Sequence, residues 1–257
     1  MIPKKIHFAW FSRDDYPSIV KECMKTWERQ LPDYEFIHWD MEKVSKIDNF
    51  FLKQTLQVKK WAFATDFIRM YILYHEGGIY LDTDVMVYKN FDDLLSNKAF
   101  IGKESTYHVR RRHAYQYLTS HCMGAEPGNP FIKACLDYYN NRPFILSEEE
   151  WLPDTLRYDQ TILPFIQTEI AKLFGYHPSE RIKGIQQLNN DITIYPGDYF
   201  DAKRRTENSY CTHIGLEGWR SKDQWSNPHT SGKLSQMVGD SIKKLVEHTG
   251  YVCFKKL

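Results

Sequence analysis

The 257-residue chain has no run approaching the roughly 20 apolar residues that cross a bilayer. Its opening, MIPKKIHFAW, holds a basic pair but no apolar stretch long enough for a signal peptide. A soluble protein, peripheral to a membrane at most, is the expectation. Cysteine is scarce. Cys23, Cys122, Cys135, Cys211 and Cys253 form an odd, scattered set without a C-x-x-C pair, which points to reduced thiols and a cytoplasmic setting. Charge of one sign is missing too: 34 Lys and Arg stand against 33 Asp and Glu, and a net +1 implies neither nucleic acid nor a strongly acidic partner. No G-x-x-x-x-G-K-S/T loop and no basic, glycine-rich opening follows the first apolar run, which argues against a nucleotidyltransferase or a sugar-phosphate hydrolase. There is no internal repeat and no low-complexity tract.

Aromatic residues, by contrast, make up 15% of the chain, and their faces suit sugar rings and nucleobases as well as cores. The length accommodates one large α/β domain with a sizeable core. Lys4 to Phe11 reads as a first strand, Ser18 to Gln30 has helical spacing at Ile19, Cys23 and Trp27, and Tyr34 to Trp39 alternates as a second strand. Residues 41 to 60 are mixed, leading into a long helix from about Val58 to His75. Strands are expected at Ile79 to Asp82, Val85 to Tyr88 and Ala99 to Gly102. This β-α-β-α-β order predicts a doubly wound, nucleotide-binding half. Residues 103 to 121, with Arg110, Arg111, Arg112 and His113, read as an irregular segment over a site mouth or a solvated charged face. A helix from Phe131 to about Asn140 follows a Pro-Gly-Asn-Pro turn, and Tyr158 to Leu163 starts another with Asp159 near its N-terminus.

The segment AFATDFIRMYILYHEGGIYLDTD, residues 62 to 84, combines a buried helix, a glycine turn and a strand ending in two aspartates. In a strand, Ile79 and Leu81 point one way while Tyr80 and Asp82 point the other, with Asp84 following on the side of Asp82. Two carboxylates then converge at a strand end, where ligands gather in open α/β sheets. Hard oxygen ligands suit Mg²⁺ or Mn²⁺ bound with substrate phosphates. A bare D-x-D also ends strands in solvated turns. Its setting adds Asp66 and Arg69 at i, i+3 on one helix face, and Gly77-Gly78 for a tight reversal.

These residues, as A-T-D-F-I-R-M-x-I-L-x-x-x-G-G-I-Y-L-D-T-D, resemble the signature of family-32 glycosyltransferases. That family includes capsular-polysaccharide transferases, the yeast α-mannosyltransferase type and relatives of the clostridial glucosylating toxins. The opening Ile2 to Phe11 resembles the family's "IPKxIHxxWF", Leu31 to Phe36 its "LPDYE" segment, and Phe91 to Leu95 and Ile192 to Phe200 also fit. Cys211 to Trp219 is similar to the "HHxxGSW" motif, with Ile214 in place of the second His and Gly218 in place of the Ser. The resemblance implies a single GT-A-type α/β domain with a mixed central sheet. Residues 1–105 would be its nucleotide-sugar-binding half, 106–232 the acceptor and site-closing half, and 233–257 a C-terminal helix and basic-aromatic tail.

The resemblance also implies retaining hexosyl transfer from a nucleoside diphosphate sugar to an acceptor hydroxyl of a cell-surface polysaccharide or glycoconjugate. Asp82, Asp84 and His213 would hold Mn²⁺ or Mg²⁺. Ala9, Trp10, Asp66, Arg69, Tyr80, Trp219 and Arg220 would bind the nucleotide sugar, Trp10 by stacking on the base and Trp219 by closing over the nucleotide. Asp159 and Gln160 would face the sugar, unless Asp159 is a simple helix cap. Phe8-Ala9-Trp10 resembles the uracil-binding strand of the toxin relatives, which favours a UDP-hexose, with GDP-mannose as runner-up. A degenerate carbohydrate-binding module is the non-enzymatic alternative, against which the intact Asp82-Thr83-Asp84 argues. From Leu234 an amphipathic helix with Lys233, Lys243 and Lys244 leads to a Lys255-Lys256 tail. The tail either packs and frays or rests on the anionic inner face of a bacterial membrane, where it would meet a lipid-linked saccharide acceptor.

Overall fold

The computed structural model describes residues 1–105, 108–110, 113–179, 183–189, 191–202 and 204–215. In chain order the first half runs β1 (Lys5–Ala9), α1 (Ser18–Gln30), β2 (Glu35–Trp39), α2 (Met41–Val44), α3 (Phe50–Gln57), α4 (Trp61–His75), β3 (Gly78–Leu81), β4 (Val85–Val87) and β5 (Ala99–Lys103). The second half runs β6 (His108–Arg110), β7 (His113–Tyr115), β8 (Leu118–Ala125), α5 (Pro130–Asp137), α6 (Asp154–Arg157), α7 (Leu163–Leu173), β9 (Gln186–Leu188), β10 (Ile192–Tyr195), α8 (Gly197–Phe200) and β11 (Cys211–His213).

Among the described residues, seven strands form the central sheet in the order β2-β1-β3-β8-β5-β10-β9. β1 pairs in parallel with both β2 and β3, and β10 pairs in parallel with β5. β8 runs antiparallel between β3 and β5, and β9 is an antiparallel edge. The carboxyl ends of β2, β1, β3, β5 and β10 therefore point the same way. β3 shows the period of two: Tyr80 enters the core made with α3, α4, α5 and α7, while Ile79 and Leu81 enter the core on the other face with Trp27 of α1. This is the expected α/β fold with a mixed central sheet.

Three expectations need correction. The long helix does not start at Val58, because Lys59 takes a positive φ of 56° and separates α3 from α4. Residues 103 to 121 are not irregular throughout: a β6–β7 hairpin leads into β8, an eight-residue strand in the middle of the sheet. β8 is buried along nearly its whole length on both faces, so it has no alternation to betray it. A Cβ at Gly124 would also collide with the Phe100 ring, so close packing there demands glycine. Lastly, α7 begins at Leu163 and not beside Asp159, with Pro164 in its first turn.

Candidate active site

The chain leaves β3 at Leu81 and turns through Asp82-Thr83-Asp84 into β4. Asp82 N–H donates to the His121 carbonyl at 2.9 Å, and Val85 N–H closes the turn onto the Asp82 carbonyl at 3.1 Å. Because the strand has ended, the two carboxylates face different partners. Asp82 meets Arg69, whose Nη2 lies 3.2 Å from Oδ1 and whose Nη1 donates to Oδ2 at 3.3 Å. The same guanidinium lies 3.4 Å from Asp66 and donates to the carbonyls of Ser120 and Thr65. It also lies over the Tyr80 ring at 4.7 Å, and the Tyr80 hydroxyl lies beside Asp82.

Arg69 is buried at 3% exposure. Burial works against its charge, but Asp82, Tyr80 and Asp66 outweigh that and keep it firmly protonated. Asp66 is pushed up to about 6 by burial, with Asp82 adding to the rise; Arg69 and the Leu163 N–H that Asp66 accepts at 3.1 Å work against it. That N–H belongs to the first turn of α7, so Asp66 supplies the helix-end contact expected of Asp159.

The second arm comes from β11, which pairs only with β4 among the described residues, placing His213 opposite Val85. His213 Nε2 is 3.1 Å from Asp84 Oδ1, and Ile214 N–H donates to the Asp84 carbonyl at 3.0 Å. Burial pulls the His213 imidazole down, yet the hydrogen bond and charge of Asp84, with Asp82 and Asp201 behind it, hold it above its ordinary value. His121 stacks on His213 with ring centroids 4.7 Å apart and planes within 10°. Two carboxylates and an imidazole are the donor chemistry that Mn²⁺ accepts. Among the described residues, however, no three His, Cys, Asp or Glu side chains converge as a ready metal cluster. Asp84 and His213 have the donor chemistry to hold one, by exchanging their mutual contact for it.

The remaining candidates are spread around this centre. Ala9 ends β1, and Trp10 follows it with N–H donating to the Trp39 carbonyl, ring 5.2 Å from that of Tyr16, and a buried Nε1 without a hydrogen-bond partner among the described residues. Asp159 is committed to Arg142 Nε at 2.6 Å and to the Thr161 hydroxyl and N–H, while Gln160 is exposed. Trp219 and Arg220 lie outside the described residues, as does the tail from Leu234. The structure thus brings Asp66, Arg69, Tyr80 and Asp82 into one network and Asp84 and His213 into another.

Residues 17–101 match the family described as the glycosyltransferase sugar-binding region containing the DXD motif. That match runs from the start of α1 into β5 and includes the Asp82-Thr83-Asp84 turn. It is 30% identical over 135 residues to inositol phosphoceramide mannosyltransferase 3 of Schizosaccharomyces pombe, covering 51% of this chain and 35% of that one. It is 32% identical over 152 residues to a mannosyl phosphorylinositol ceramide synthase of Saccharomyces cerevisiae, covering 56% and 37%. The chain thus spans about a third of the length of these curated relatives. Among solved structures, the PaToxG glycosyltransferase is 20% identical with a TM-score of 0.45, over 67% of this chain and 69% of that one.

The matched region contains Asp66, Arg69, Tyr80, Asp82 and Asp84, whereas Trp10, Asp159, Gln160 and His213 fall outside it. Sequence reasoning missed Thr65, Ser120 and His121. The two carbonyls of β8 that hold Arg69 and Asp82 carry no side-chain signal at all. His121 follows Thr119 and Ser120 in a stretch without clear alternation, and only the strand pairing shows what it faces.

Proposed function

We propose that this glycosyltransferase moves a hexose from a nucleoside diphosphate sugar to an acceptor hydroxyl, with retention at the anomeric carbon. The observation that carries the reading is the turn at the carboxyl end of β3, where Asp82 is held by buried Arg69 and Asp84 is paired with His213. A divalent cation, Mn²⁺ or Mg²⁺, supplies charge stabilisation of the leaving diphosphate when bound. Asp84 and His213 would hold it, with Asp82 alongside.

Arg69 does not reach for sugar hydroxyls in this reading. Its donors are spent on Thr65, Asp66, Asp82 and Ser120, so it fixes the carboxylates instead. Trp10 receives the base from the end of β1, its buried Nε1 lacking a partner that a nucleotide oxygen would supply. Asp66 and Tyr80 set the register of the donor sugar from beneath. Asp66 and Asp82 share the Arg69 guanidinium, so neither is offered as the free nucleophile that a retaining glycosidase uses. Front-face transfer follows, the leaving phosphate taking the acceptor proton. Gln160 is the group offered to the opposite face, and Asp159 braces its loop through Arg142 and Thr161.

Phe8-Ala9-Trp10 supports a UDP-hexose donor. GDP-mannose is the second reading, favoured by the two yeast relatives, which are named for mannosyl transfer to inositol phosphoceramide or for making its mannosylated product. Those names also support a lipid-linked glycoconjugate or saccharide acceptor, met by a cytoplasmic enzyme at the inner face of a membrane. Release of nucleoside diphosphate from UDP-glucose, UDP-galactose and GDP-mannose, with Mn²⁺ or with chelator, tests the proposal. One donor should be consumed, and Asp84→Asn should lower that turnover by on the order of hundredfold to thousandfold while leaving folding intact. Turnover undiminished by chelator or by the variant overturns the metal assignment, and no release from any donor overturns the transferase reading.

A further inference from the structure

We propose that His121 is the positioning residue of the candidate site, holding the plane of the His213 ring from one side and the turn of Asp82 from the other. The inference rests on the reading that Asp82, Asp84 and His213 receive the donor diphosphate and its cation. His121 lies near the middle of β8, 6% exposed. Its main-chain carbonyl accepts the Asp82 N–H at 2.9 Å, so the strand that carries it fixes the first residue of the acid pair. Its ring lies almost flat on His213, 4.7 Å between centroids. Nε2 is 2.9 Å from the Phe200 carbonyl, which only accepts, so Nε2 carries the proton and the ring cannot spin without losing that bond.

Three separate pieces of chain therefore meet in one residue: the end of β3, β11, and α8 through Phe200. The need for such a tie follows from the topology. Among the described residues, β11 pairs with β4 in a two-stranded sheet and has no ladder with β8. Cys211 Sγ and Thr212 Oγ1 tie it to the Phe200 and Ala202 carbonyls, and towards β8 the His121–His213 stack and a Cys122–Cys211 thiol contact join it. A hydrogen bond to Asp84 fixes one nitrogen of His213 but leaves the ring free to tilt about it; a flat neighbour removes that freedom. Hydrogen-bonded partners behind a metal-binding histidine typically govern affinity by about 10- to 100-fold, and a stacked ring acts on the same ring orientation.

His121→Leu removes the ring, and His121→Phe keeps a stacking face while giving up the bond to Phe200. In metal-free protein carrying ¹³C-labelled histidine, the His213 ring resonance, assigned by its loss in His213→Asn, should move in His121→Leu and return towards the wild-type position in His121→Phe. Mn²⁺ affinity, read from the paramagnetic resonance of the free ion, should fall about tenfold or more in His121→Leu and be largely restored in His121→Phe. A His213 resonance unmoved by the leucine, or wild-type Mn²⁺ affinity in that variant, overturns the proposal. If the leucine variant does not fold, the wild-type spectrum decides: Overhauser contacts between the two imidazoles are expected, and their absence overturns the stack. Wild-type protein that binds no Mn²⁺ removes the metal reading alone, since the metal-free spectra still judge the stack.

Discussion

A guanidinium presents its N–H groups in a rigid planar fork, and Arg69 directs that fork at Thr65, Asp66, Asp82 and Ser120 together. A lysine at the same place brings one compact charge that cannot reach all of these acceptors. Arg69→Lys is therefore expected to destabilise the fold by roughly 1 to 3 kcal/mol, because buried acceptors lose their donors. It should also cut donor turnover, because Asp82 is no longer held in place. Urea unfolding and nucleoside diphosphate release measure the two effects, and a variant equal to wild type in both contradicts the network. The sequence showed Asp66 and Arg69 on one helix face through their spacing, and Tyr80 and Asp82 on one strand face through theirs. It did not show that Arg69 is consumed internally, because its acceptors at Ser120 and Thr65 are main-chain carbonyls, alike in every residue type. Asp159 was misplaced for a related reason: an aspartate three or four residues before a helix suggests a cap, and only the fold reveals Arg142 beside it.

Among elements, the α4–β3 connection leaves the least room. Gly77 and Gly78 take φ of 66° and 100°, and a Cβ on Gly78 would lie 2.9 Å from the Lys5 carbonyl and 3.0 Å from His7 Nε2. Gly78→Ala is expected to cost about 2 to 4 kcal/mol, combining backbone strain with overpacking, since the obstacles are a strand backbone and a bonded ring. Chemical denaturation reads this directly, and a loss under about 1 kcal/mol would mean that β1 and β3 yield more easily than their packing implies. Elements with a clear period were legible: α1 spans Ser18–Gln30 as its spacing predicts, and β1, β2, β3 and β5 fall within a residue or two of expectation. β8 was not, because a strand covered on both faces loses its alternation. Missing β8 also hid His121. His213 came from the motif resemblance, since nothing in a three-residue strand predicts that β11 pairs with β4.

At the scale of the molecule, five strands running the same way place their carboxyl ends together, and the site sits where β3 ends among them. The far side of the strand that feeds it is fixed by His7. This residue of β1 is fully buried; its Nε2 bonds the Gly77 carbonyl at 2.9 Å, and its Nδ1 accepts from Trp39 Nε1 at 3.2 Å. Only a neutral ring with the proton on Nε2 satisfies both, because a protonated Nδ1 would oppose the tryptophan donor. Burial accordingly lowers His7 from 6.5 to about 4, the charges of Lys5 and Lys43 adding to the fall and the Gly77 bond opposing it. An unfolded chain takes up a proton at this position below about pH 6.5, whereas the folded chain refuses it until about pH 4. The stability contributed by His7 is therefore complete above pH 6.5 and is lost as the pH falls towards 4, amounting to about 3 kcal/mol across that window. Other groups titrate in the same range, so the comparison has to be made against His7→Gln, which keeps a polar side chain without the proton equilibrium. The wild type should be the more stable of the two at pH 7, and its advantage should shrink by about 3 kcal/mol by pH 4. An advantage that stays constant between those limits would show that the ring is not held neutral, and that the joint between β1, β2 and the glycine turn tolerates a charge.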